Sequence, residues 1–109
     1  MAWLLRRGEV LASLELAEGL LGRARGFAGH EHERAALLLA PAHAAHSIGV
    51  RCPLDVAYLD KELRVLATTR LAPFRVAMPR RGAASILEVE AGAFERWRLA
   101  PGDALEVQR

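Results

Sequence analysis

Five residues combine charge or hydrogen-bonding capacity with a place beside apolar, strand-like runs: Arg23, His46, Arg51, Asp55 and Glu88. Asp55 sits inside Leu54–Leu59, on a side otherwise occupied by Ala57 and Leu59. Glu88 interrupts the apolar run formed by Ile86, Leu87 and Val89. A carboxylate in such a setting must be paired or hydrogen-bonded, because an uncompensated buried charge costs several kcal/mol. Arg23 or Arg51 is the expected partner of Asp55.

Three kinds of chemistry follow from this set. In the first, the carboxylates brace loop amides or arginines and hold strand register. The second is a pocket for a small anion or polar ligand, with an arginine fork gripping a carboxylate or phosphate. The third is acid–base work by His46 with Asp55 or Glu88, since histidine titrates near neutrality and a carboxylate orients it. Metal binding would need three or four converging ligands. His30 and His32, or His43 and His46, supply pairs, but no strong zinc spacing occurs, and neither a metal nor another cofactor is expected. Cys52, between Arg51 and Pro53, reads as a small buried residue rather than a nucleophile. Serine catalysis lacks its Gly-x-Ser-x-Gly context, and no glycine-rich phosphate loop is present.

These residues depend on a series of short strands for their positions. Residues 3–6 and 10–16 read as strands around a turn at Gly8-Glu9, the second alternating with period two. Residues 17–27 carry Leu20, Leu21 and Ala24 at helical spacing, and Gly26 or Gly29 closes that helix. Residues 30–34 form a charged loop. Residues 36–40 form a buried strand stopped by Pro41, and 43–51 fits either a helical turn or an extended run. Leu54–Leu59 is the clearest strand, with residues 60–62 as its turn and 64–71 returning antiparallel. Residues 75–84 read as a loop, 85–89 as a strand, and 93–99 as a short helix or turn after Gly92. Pro101-Gly102-Asp103 is a turn before a last strand at 104–107. Six to eight short strands with few helices predict a mostly β sandwich or partly open barrel.

The chain has 109 residues, 52% hydrophobic and 26% charged, which fits one globular domain with its own core. Its single cysteine excludes an intrachain disulfide. No apolar run approaches the roughly 20 residues of a membrane span, so a cytoplasmic home is expected. The pI is about 9.3, yet the net charge is only +2. Arginines are spread along the chain instead of clustering on one element, which argues against nucleic-acid binding.

Four ordered stretches resemble a prokaryotic family, the uncharacterised domain of unknown function 192. They are Arg23-Ala24-Arg25-Gly26-Phe27, the run from Ala36 to Pro41, His46-Ser47 through Asp60, and Ile86 through Gly92 with Gly102-Asp103 beyond it. The resemblance implies a jelly-roll-like β architecture with one or two short helices, and it implies no activity. The combined expectation is a small non-enzymatic binding or interaction domain for an anionic or polar ligand, or for a protein partner. The competing expectation is a small enzyme acting on a polar metabolite through His46 and Asp55.

Overall fold

A computed structural model describes residues 2–17, 36–46 and 52–109, with only the backbone considered at 45 and 46. Among the described residues, nine strands and one short helix follow in chain order: β1 (Ala2–Arg6), β2 (Glu9–Ala17), β3 (Ala36–Leu39), β4 (Ala45–His46), β5 (Leu54–Leu59), β6 (Val65–Leu71), β7 (Val76–Ala77), β8 (Ser85–Glu90), α1 (Ala93–Trp97) and β9 (Glu106–Gln108). Seven strands form one sheet in the order β6-β5-β8-β3-β2-β1-β9, while β4 and β7 pair as a separate ribbon.

Local chemistry sets the turns. Arg7 and Gly8 both take positive φ, 53° and 80°, between the paired residues Arg6 and Glu9. Two left-handed residues match the twist of a tight hairpin, and glycine takes that conformation without a steric cost. In the β5–β6 hairpin, Asp60 Oδ1 accepts the backbone N–H groups of Glu62 and Arg64, both at 2.9 Å. That side chain holds the loop while a bulge at Tyr58/Leu59 shifts the register.

The sheet curls until its two edges touch. Gly102 and Asp103 bring the chain beside Val65: Gly102 N–H donates to Val65 C=O at 2.8 Å, and Val65 N–H donates to Asp103 C=O at 2.8 Å. An antiparallel bridge between Arg64 and Ala104 completes the contact. The result is a mostly β, partly open barrel. Arg6 clamps this closure, donating to Asp103 Oδ2 at 2.9 Å and to the Trp97 carbonyl.

Alternation splits the core in two. Leu4, Leu14, Leu38, Ala57, Leu59, Val65, Leu87 and Val89 point inside the curl, with Ala93 and Phe94 of α1 among them. Leu37, Leu39, Leu54, Val56, Tyr58, Leu71 and Ile86 form a second cluster on the outer face, where Ala77 of β7 packs. The central strands β3 and β5 are therefore buried at every position. This double burial explains why their sequences are almost continuously apolar.

Most expected strands are present, and β5 has the predicted ends. Residues 75–84 are not wholly loop, because β7 lies within them and pairs with β4. Of the two readings of 43–51, the extended one holds at Ala45–His46. The expected helix at 17–27 and charged loop at 30–34 lie outside the described residues, apart from Ala17, which ends β2.

Candidate functional site

Asp55 is 4% exposed and points toward the inner cluster. Its Oδ2 accepts two backbone N–H groups, from Gly92 at 2.9 Å and Phe94 at 3.1 Å. Its Oδ1 accepts from Arg70 Nε at 3.2 Å. Gly92 precedes α1 with φ 104° and has no side chain to cap the helix. Asp55 therefore supplies from β5 the acceptor that a helix start needs. The expected arginine partner exists, but it is Arg70, its cross-strand neighbour on β6, rather than Arg23 or Arg51. Those two residues lie outside the described residues.

Glu88 is 0% exposed, and it does not join Asp55. Its cross-strand neighbours are Val56 and Leu37, whose side chains belong to the outer-face cluster, whereas Asp55 stands opposite Val89 of the inner one. Directly paired residues share a face and successive residues alternate, so the two carboxylates occupy opposite sides of the sheet. His46 belongs to the β4–β7 ribbon, opposite Val76. That ribbon packs on the outer face, away from the Asp55 carboxylate. The structure thus separates the strand of His46 from the carboxylate of Asp55. Cys52 packs half-buried against the outer cluster. Among the described residues, no three His, Cys, Asp or Glu side chains converge as a metal-holding group.

A different place offers room. A groove of about 460 Å³ opens between β5–β6 and residues 76–80. Its polar lining comes from Tyr58, Thr68, Thr69 and Arg80, and its apolar lining includes Leu71, Val76, Met78 and Pro79. Tyr58 Oη donates to the Met78 carbonyl at 2.7 Å and fastens the 76–80 segment to the sheet. Burial pushes the Tyr58 phenol above its ordinary pKa of 10.0, and the positive charge of Arg80 acts in the opposite sense. Among the described residues, Arg80 is the one charged residue in the lining, and no carboxylate pairs with it.

Sequence reasoning missed this groove. Thr68, Thr69 and Arg80 are unremarkable on their own, and only the fold of 76–80 back over the sheet brings them together. Both threonines are exposed because β6 is the last strand of the sheet, which alternation alone does not reveal, and nothing in the sequence places Arg80 beside them.

The family model for domain of unknown function 192, described as uncharacterized ACR, matches residues 3–107. The chain belongs to this family. A UPF0127 protein of Pyrococcus abyssi is 26% identical over 98 residues, covering 85% of this chain and 84% of that protein. A crystal structure of a protein of unknown function from Novosphingobium aromaticivorans superposes with a TM-score of 0.77 at 20% identity, covering 96% of this chain and 82% of the other. A Sinorhizobium meliloti protein, provisionally described as a transcription regulator, gives 0.78 at 21% identity over 97% of this chain and 91% of its own. At such identities the two structures establish the shared fold. This family member, like the protein from Novosphingobium, is of unknown function, and no helix among its described residues is long and apolar enough to cross a membrane.

Proposed function

We propose that this chain is a small, non-enzymatic binding domain whose outer-face groove takes an anionic ligand. The observation that carries this reading is the lining itself: among the described residues it holds one arginine, three hydroxyl-bearing side chains and no carboxylate, around about 460 Å³. Ligand sites of this size combine an apolar wall with a few placed polar groups. A guanidinium supplies a planar fork suited to a carboxylate or phosphate. His46 sits beside the groove by backbone register, opposite Val76. It enters the proposal as a rim residue, and Arg23 and Arg51 enter as further basic groups for the same ligand. Asp55, already engaged by two amides and Arg70, acts as a brace.

We read the 109 residues as one cytoplasmic domain of a prokaryotic protein. The single cysteine supports this, as do relatives from two bacteria and Pyrococcus. Calorimetry with glutarate, citrate and inorganic phosphate tests the binding reading. Saturable binding should appear with at least one of the three. At a hundredfold excess over Kd that ligand should stabilise the fold by about 2.7 kcal/mol. Arg80→Ala should remove the effect while leaving the ligand-free melting temperature unchanged. Equal binding by wild type and Arg80→Ala would refute the assignment.

A further inference from the structure

The groove lies along a sheet edge that no strand among the described residues covers. β6 is the last strand of the sheet, and its contact with the 102–105 segment involves only residues 63–65. From Leu66 to Arg70, its outer edge has no strand partner among the described residues. Such an edge presents unpaired N–H and C=O groups to any extended chain that reaches it.

The groove reaches that edge. Ala67, Thr69 and Leu71 stand opposite Tyr58, Val56 and Leu54, so they share the outer face. Thr68 stands opposite Ala57 and belongs to the inner face, yet it also lines the groove. A groove flanked by residues of both faces must pass over the strand backbone between them. Beside it, Phe74, Val76 and Met78 are all exposed, Met78 at 74%. Arg80 lies in the groove and Arg81 follows it in the exposed turn.

We infer that the groove is a strand-addition site for an extended protein segment that alternates apolar and acidic residues. This inference rests on the anion-binding reading of the groove and names its partner. Main-chain bonds to the β6 edge would hold the segment in register. Its acidic side chains, on the face turned to the groove, would meet Arg80, and the alternate apolar set would lie on the opposite face of the extended sheet. The charge of the lining selects an acidic segment over a basic one, because like charges in contact are excluded.

The experiment uses the full chain and a synthetic peptide of alternating valine and glutamate. Four ligands serve for comparison: the same peptide N-methylated at alternate backbone positions in either of the two registers, a valine–lysine peptide, and free glutarate. Calorimetry gives the affinities, and amide shifts of Leu66 to Arg70 locate the binding. The valine–glutamate peptide should bind and shift those amides. N-methylation in the register that faces the edge, lysine for glutamate, and Arg80→Ala should each weaken it by about tenfold or more. The first two changes are on the peptide, so protein folding is not at issue, and Arg80 is exposed.

If glutarate binds in an Arg80-dependent way but both N-methylated registers bind as well as the parent peptide, strand addition is wrong and the anion reading survives. If no ligand depends on Arg80, both fall. If the protein alone dimerises and its Leu66–Arg70 amides shift with concentration, the occupant is a second copy and the peptide proposal is overturned.

Discussion

Replacing Asp55 by alanine removes the acceptor of two backbone donors and the partner of Arg70. Gly92 and Phe94 N–H both point at Oδ2, and the Phe94 bond is buried, so water does not readily replace the lost oxygen. Hydrogen bonds to a charged group contribute about 1.5–3 kcal/mol each, and a buried donor left bare costs a similar amount. The Arg70 side chain is 58% exposed, so its ion pair adds at most about 1 kcal/mol. Asp55→Ala should therefore cost about 3–5 kcal/mol, a large share of the 5–15 kcal/mol typical of a domain. Because both amides converge on one oxygen, Asp55→Asn can keep both bonds through its carbonyl. It should lose only charge assistance and the Arg70 pair, about 1–2 kcal/mol. Urea unfolding with linear extrapolation measures both variants, and Arg70→Ala serves as a control expected within about 1 kcal/mol. The melting temperature of Asp55→Ala should fall by more than about 12 °C. If alanine costs less than about 1 kcal/mol, or if asparagine is as damaging as alanine, the capping argument is wrong.

Tyr58→Phe should cost about 1 kcal/mol by freeing the Met78 carbonyl. It should also reduce the loss of stability in alkali. The folded-state phenol titrates above its unfolded value of 10.0, so its contribution is complete below that pH and disappears as pH rises through the folded value. Denaturant titrations from pH 8 to 11 give the comparison. Asp103→Ala should cost about 1–3 kcal/mol, because Oδ2 accepts both Arg6 and the Ala100 N–H, the latter at 3.0 Å. Its effect should be largest on hydrogen exchange at Val65 and Gly102, the amides that join the sheet edges.

The parts of the fold legible in sequence were those with a repeating signal. Leu54–Leu59 has apolar residues on both sides and a clear turn after it, and its ends were read to the residue. Gly92 and Pro101-Gly102-Asp103 marked their breaks because positive φ and fixed proline geometry leave few alternatives. β7 was hidden because two residues cannot display a period. The Asp55–Arg70 pair was hidden by the bulge. Continuing the Leu59–Val65 register without it would set Asp55 opposite Thr69, and the one-residue shift delivers Arg70 instead. Glu88 was legible as a buried acid but not as an outer-face one, because its side depends on its register with Val56. The groove was illegible for a further reason: its walls come from β6 and from a segment whose path is set by tertiary contacts such as Tyr58 to Met78.

Pairing of β1 with β9 has a consequence for the chain during synthesis. Trp3 meets Gln108, and Leu4 meets Val107, so β1 waits for a strand made long after it. Until the stretch from Gly102 to Gln108 leaves the ribosome, one side of β1 and the backbone of Val65 stay bare at opposite ends of an unfinished sheet. Contacts so distant in sequence are slow to form. The nascent protein therefore passes through a stage open to strand exchange with its neighbours, and that stage lasts until β9 has paired.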